Sequence, residues 1–384
     1  MGSVSRRFVA FFVPFLLLYG LANYYIALRF LPLASASLGP ATWGYWVALT
    51  FGAVASFAAR RHKRRVPGSF GNLLATMGDY WLAAVFHGLL LWAVADIGLF
   101  LLPSEPTGAS VGAAVAVLLC ATLLYGYRRA HTVRISRYAV ALNKHGPENF
   151  ALRAVLVSDL HLGTATNNAR FTGLIERIGT LEPDIVFFVG DTIDGDIGEF
   201  AAAELPRLVR KLTPRFGCYA VLGNHEYIGG KPGEAAGQLE DAGIKVLIDT
   251  YAHVDGQFFV VGRDDAYTRR RTLSAVMGGV DRAQPIILLD HQPVALQEAE
   301  ENGVDLMLSG HTHHGQFFPN NLLTQRIFAV DWGYLRQGAL QVIVSCGFGT
   351  WGPPVRTSGW SEIVVAEIRT GSEGRDGGVR HDGR

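Results

Sequence analysis

Four long apolar runs fill the first third of the chain, at residues 8–28, 41–59, 80–102 and 109–127. Each falls near the ~17–25 residues that a helix needs to cross a bilayer, where every backbone polar group must be satisfied within the segment. The runs therefore read as four transmembrane helices. Trp43, Trp46, Tyr80, Trp81, Tyr125 and Tyr127 cluster near their ends, as aromatic residues do at membrane–water interfaces.

The connecting segments set an orientation. Arg6 and Arg7 precede the first run, Arg60, Arg61, Lys63, Arg64 and Arg65 separate the second from the third, and Arg128, Arg129, Arg134 and Arg137 follow the fourth. The two remaining connections hold only Arg29 in one and Glu105 without a base in the other. By the positive-inside rule both termini are cytoplasmic. The expected location is the inner (plasma) membrane, multi-pass, with everything after the fourth run on the cytoplasmic side. Ser5-Arg6-Arg7-Phe8 faintly resembles a twin-arginine export signal, but the first run is long for a signal and three more follow it. Asn23, His87 and Asp96 are the polar residues at membrane depth. His87 and Asp96 fall on opposite helix faces, so packing and snorkelling are expected of them rather than a transport path.

The 384 residues call for at least two units, and a hydrophobic share of 49% is concentrated in the first. A net charge of +1 gives no pull toward nucleic acid, and no patch interleaves basic with aromatic side chains, so no nucleic-acid partner is expected. Cys120, Cys218 and Cys346 form no CxxC spacing and are read as small buried hydrophobes.

From about Arg153 the texture changes. Residues 153–159, 184–191, 217–224, 257–262, 285–291, 305–311, 341–345 and 363–368 read as strands covered on both faces. Residues 168–179, 198–212, 233–243 and 294–302 have helical spacing. The pattern is α/β. The expected organisation is a four-helix transmembrane domain at 1–130, a basic linker at 131–152, a catalytic domain at 153–370 and a disordered tail at 371–384.

Metal-type residues recur where these strands end. The motifs are Ser158-Asp159-Leu160-His161, Gly190-Asp191-Thr192-Ile193-Asp194, Gly223-Asn224-His225-Glu226, Asp290-His291 and Gly310-His311-Thr312-His313-His314. Ligand sites in α/β sheets lie at carboxyl ends of strands, so all five can converge on one crevice. Side chains at i and i+2 of an extended segment share a face, which lets Asp159 pair with His161 and His311 with His313. Each motif alone is weak; five together are hard to obtain by accident.

In this order the motifs resemble the calcineurin-like metallophosphoesterase family, in a bacterial membrane-associated branch with Gly-Thr-Trp-Gly-Pro-Pro-Val-Arg at 349–356. The resemblance implies an α/β sandwich of two mixed β-sheets flanked by helices. It implies that Asp159, His161, Asp191 and His313 bind one metal, and that Asp191 bridges to a second held by Asn224, His291 and His311. His314 departs from the branch, which has glycine there, and should face away from His313.

Two cations about 3.5–4 Å apart need an anionic bridge, lower the pKa of a shared water and clamp phosphoryl oxygens. A leaving alkoxide still needs a proton, and His225 is the choice of general acid. Glu226 and Asp194 are placed to orient the metal-holding residues. Arg356 reads as a phosphate contact or a surface residue. Imidazole and carboxylate donors suit two divalent ions of manganese, iron or zinc. The expected activity is hydrolysis of phosphomonoesters, phosphodiesters or pyrophosphates, on a substrate that the membrane location suggests is lipid-linked, such as a phospholipid or lipid pyrophosphate. A multi-span transporter, or a membrane scaffold with a non-catalytic metal-binding module, is the alternative.

Overall fold

The computed structural model describes residues 2–61, 68–101, 107–144, 150–163, 165–194, 198–370 and 379–380. The expected tail at 371–384 lies outside them except for residues 379–380. The chain divides into two units, Met1–Tyr127 and Arg128–Arg384.

The first unit is helical: α1 (Gly2–Leu38), α2 (Thr42–Arg61), α3 (Gly68–Leu101) and α4 (Gly108–His131), the last of which continues into the second unit. Among the described residues three segments, not the expected four, are long and apolar enough to cross a membrane: Val13–Ala55, Phe70–Leu101 and Gly108–His131. The first two expected runs fall in one stretch because the chain between α1 and α2 never leaves helical structure, passing through a single 3-10 turn at Gly39–Ala41. Within that stretch the chain turns back: Tyr19 donates to the Ala53 carbonyl at 3.1 Å and Tyr45 to that of Ala27 at 2.7 Å. Because α1 runs on to Leu38, Arg29 lies inside a helix and not in a connection. There it pairs with Asp96 of α3, whose carboxylate also accepts from Tyr25 at 2.6 Å. Asn23 likewise accepts from Trp81 at 2.8 Å, and His87 bonds its own helix at the Ala83 carbonyl. The polar residues at membrane depth are thus helix-to-helix or intrahelical contacts. Cys120 is exposed on α4, whereas Cys218 and Cys346 are buried.

The second unit opens with β1 (Val133–Leu142), one residue beyond α4. This segment was expected to be linker. Its alternation of Tyr138, Val140 and Leu142, all buried, with Arg137, Ala139 and Ala141 instead builds a strand. There follow β2 (Ala151–Val157), α5 (Ala165–Thr180), β3 (Ile185–Val189), α6 (Gly198–Val209), β4 (Cys218–Val221), α7 (Asn224–Ile228), α8 (Pro232–Asp241) and β5 (Ile244–Val246). Then come β6 (Thr250–Val254), β7 (Phe258–Gly262), α9 (Leu273–Val276), β8 (Ile286–Leu289), α10 (Leu296–Glu301) and β9 (Leu306–Ser309). The chain ends in α11 (Asn320–Ile327), β10 (Gly333–Gln337), β11 (Leu340–Val344), β12 (Ser361–Thr370) and β13 (Val379–Arg380).

Two mixed sheets result, of order β13-β1-β12-β2-β3-β4-β5 and β10-β11-β9-β8-β7-β6. Alternation along β2 shows why they stack. Leu152, Ala154 and Leu156 face the other sheet, meeting Ile287, Leu289, Leu306 and Leu308, while Val155 and Val157 face the core covered by α5, α6 and α8. A third core lies under α9 and α10 on the outer face of the smaller sheet. Strands β2, β3 and β4 are parallel, as are β7, β8, β9 and β11. Their carboxyl ends therefore point the same way within each sheet.

Candidate metal centre

All seven donor residues expected to hold metal come from the segments just past β2, β3, β4, β8 and β9. The ligand atoms of six of them (all but Asn224), with His225, form overlapping groups, each with all its atoms within 4.8 Å of one another: Asp159, His161 and His313; His161, Asp191 and His225; and Asp191, His291 and His311. Asp191 and His161 each belong to two groups, which ties the cluster into one site.

The backbone is bent to achieve this. Asp159, His161, Asp191, His311 and His313, five of the seven donors, have φ between 48° and 73°, in the left-handed region that L-residues avoid. Such conformations cost of order 1 kcal/mol or more each and persist where the surroundings over-determine them. Glycines make room: a Cβ on Gly223 would meet the Asp191 backbone nitrogen at 2.5 Å, and one on Gly310 would meet Ser158 Oγ at 2.5 Å.

Hydrogen bonds aim the donors. His291 donates from Nδ1 to the Val189 carbonyl at 2.9 Å, leaving Nε2 facing Asp191 Oδ2 at 3.2 Å. His161 Nδ1 lies 2.8 Å from Asp194 Oδ1, and its Nε2 is 3.0 Å from His313 Nε2. His225 Nδ1 approaches the same Asp194 oxygen at 2.8 Å. The His225 backbone N–H donates to Asp191 Oδ1 at 2.8 Å. Asp159 accepts the His311 N–H at 3.1 Å. Glu226 lies deeper: its carboxylate accepts the N–H groups of Gly223 at 2.7 Å, Ile193 at 2.9 Å and Asp191 at 3.2 Å, pinning the ends of β3 and β4 together.

Charge follows geometry. Burial by itself would raise the Asp191 carboxyl, but His291 and His161 hold it down at about 2. Asp159 is likewise kept well below the usual range, against its burial, by His313, His291 and His161. Burial pushes His311 and His313 down to about 4, so both are neutral donors at pH 7. Burial and the neighbouring Asp191 raise Glu226 to about 7.

The residues fit divalent cations. Asn224 Oδ1 is buried without a hydrogen-bond partner, an arrangement whose cost a cation would remove. The donors are imidazole, carboxylate and amide oxygen, with no thiolate: burial raises the Cys346 thiol, which donates to the Trp360 carbonyl.

One residue behaves otherwise than expected. Arg356 is neither a phosphate contact nor a surface residue but fully buried, donating to the carbonyls of Cys346 at 2.8 Å, Gly347 at 3.1 Å and Gly349 at 2.5 Å. Its second nitrogen lies 3.3 Å from His313 Nδ1, so this arginine backs a donor ring. His314 turns away to Asp331 at 2.9 Å and stands outside the donor groups, as expected.

A model of the calcineurin-like phosphoesterase family matches residues 152–315. An uncharacterized metallophosphoesterase of Aquifex aeolicus (strain VF5) is 33% identical over 265 residues, 66% of this chain and 98% of that protein. The chain belongs to the calcineurin-like phosphoesterase family. This metallophosphoesterase is also 32% identical, over 57% of its length and 53% of the relative's, to a transmembrane protein with metallophosphoesterase domain from Danio rerio. A solved dimetal phosphatase from Danio rerio is 11% identical, covering 50% of this chain and 86% of its own, with a TM-score of 0.32. The protein is thus a metal-dependent phosphoric ester hydrolase with a candidate dinuclear centre, carried behind membrane-type helices.

Proposed function

We propose that the metallophosphoesterase holds two divalent cations and hydrolyses a phosphoester or pyrophosphate bond at the cytoplasmic surface of the inner (plasma) membrane, on a lipid-linked substrate. The observation carrying this reading is the convergence of six of the seven donors, together with His225, from five strand ends, in three groups linked through His161 and Asp191. Asp159, His161, Asp191 and His313 would hold one cation, and Asp191, Asn224, His291 and His311 the other. Bound there, the cations supply Lewis acidity toward water and toward the phosphoryl oxygens.

The remaining residues have separable tasks. His225, held through Nδ1 by Asp194, keeps Nε2 available to protonate the leaving oxygen. Asp194 fixes the rings of His225 and His161 together. Glu226 locks the loops carrying Asp191 and Asn224. The completeness of this set counts against a transporter or scaffold with a degenerate module.

Sidedness rests on charge. The basic segment at 60–65 precedes α3 and that at 128–137 follows α4, while the connection between them contains no base. Two crossings return the chain to its starting side, so both basic segments share a side, the cytoplasmic one by the positive-inside rule. A reporter fused after Thr370 is expected to be active only in its cytoplasmic form.

The deciding experiment is elemental analysis with a hydrolysis screen of the full chain against lipid pyrophosphates, phospholipids, nucleotides and aryl phosphates. Two metals per chain are expected, with Asp191→Asn weakening both. A single metal, or an Asp191→Asn protein still holding two, rules out the shared carboxylate.

A further inference from the structure

Helix α11 is anomalous for a water-facing surface. None of its residues is buried, yet Leu322, Leu323 and Ile327 are exposed, the last two at 59% and 71%. Phe318 precedes it and Trp351 stands on a neighbouring loop, exposed at 55% and 61%. Single exposed apolar residues are ordinary, but five on two adjoining segments need an explanation.

These segments are fastened to one another and to the site. Gln316 donates to the Trp351 carbonyl and accepts the Trp351 N–H, both at 3.0 Å. The Phe318 N–H donates to Thr357 Oγ1 at 2.9 Å. The Trp351 ring lies 6.2 Å from that of His225, and Phe328, just past α11, lies 6.1 Å from His311. The apolar surface therefore borders the cluster of candidate metal donors.

It also borders the last turn of α4. Arg129, in the last turn of α4, donates to the Thr357 carbonyl at 3.4 Å, and Ser361 donates to the Ala130 carbonyl at 2.6 Å. The loop that receives Phe318 is thus the loop that the last turn of α4 reaches, directly after the apolar run at 109–127. The basic residues around it carry the other half of an interfacial signature: Arg128 and Arg134 are exposed, Arg134 stacks on Trp360 at 3.5 Å, and Arg326 is exposed on α11 itself. Apolar side chains that insert and cations that meet anionic headgroups are what a bilayer surface selects.

We infer that Phe318, Leu322, Leu323, Ile327 and Trp351 seat this unit on an anionic lipid surface, dipping into the headgroup layer beside the metal cluster. Phosphoesters borne on lipids then reach the site without leaving the bilayer. That consequence for substrate rests on the phosphoesterase reading above, whereas the seating does not.

The test uses the full chain, with Cys120→Ser, in vesicles of phosphatidylcholine and phosphatidylglycerol. An environment-sensitive fluorophore is attached at Leu323→Cys or, as the control, at Lys245→Cys on β5, the edge of the larger sheet opposite β1 and β13. Quenching by doxyl-labelled lipid is expected to be at least ~2-fold stronger at 323 than at 245, with iodide quenching correspondingly weaker, if the helix inserts. Equal quenching at the two positions overturns the inference. Shielding of position 323 from both quenchers also overturns it, since a protein surface such as a second copy would then cover the helix. Because the readout needs no turnover, it is separate from a failure to hydrolyse phosphoesters.

Discussion

His225 and Asp194 are joined at 2.8 Å between Nδ1 and Oδ1, so in the proposed general-acid role the other ring nitrogen of His225 would carry the proton. His225→Ala should keep both metals, since the seven proposed donors stay intact. Its rate should fall by about 10²–10⁴ on substrates with alkoxide leaving groups, and far less on an aryl phosphate whose leaving group departs unprotonated. Rates on the two substrate types, with metal content measured alongside, check this. Equal losses would instead make His225 a phosphate-binding residue.

Asp194→Asn should act on two residues at once, because the same oxygen serves His161 and His225. Partners that orient a metal-holding histidine are worth about 10–100-fold in affinity or activity. We expect weakened retention of the cation shared by Asp159, His161 and His313, seen by competition with a chelator, together with the selective loss on alkoxide leaving groups.

Gly223→Ala should damage the centre without touching any donor. The added methyl group would meet Asp191 at its backbone nitrogen and its carboxylate, and Asp191 has no slack to yield because Glu226 holds its N–H at 3.2 Å. Loss of bound metal at unchanged helical content by circular dichroism is the expected result; a fully loaded protein would show that the loop can relax.

Arg356→Met should destabilise the catalytic unit. It removes a buried cation from three carbonyls, and a buried polar group left unsatisfied costs roughly 1–3 kcal/mol. A lowered Tm in detergent, with Arg356→Lys recovering only part of it, is expected because one ammonium cannot reproduce the planar fork.

The centre was legible in the sequence because its donors sit at the ends of buried parallel strands, whose continuous apolar runs and following glycines stand out. Strands β5, β6 and β10 were not, since they lie at sheet edges and carry mixed, half-exposed side chains. The burial of Arg356 was equally hidden: its partners are carbonyls from residues 346–349, and no side-chain pattern announces a carbonyl cage. The expected connection between the runs at 8–28 and 41–59 is instead helical, continuing in α1 to Leu38 and through a 3-10 turn at Gly39–Ala41.

Strand β1 bears on any attempt to isolate the catalytic unit. It pairs with β12 along all ten residues from Val133 to Leu142, so a fragment begun at 153, where the family's motifs start, would strip β12 of that partner. The bared strand would present a row of unpaired amides and carbonyls, a template for other chains to add to. Such a fragment should aggregate, whereas one begun at 128 would carry its own edge protection and remain monodisperse by light scattering.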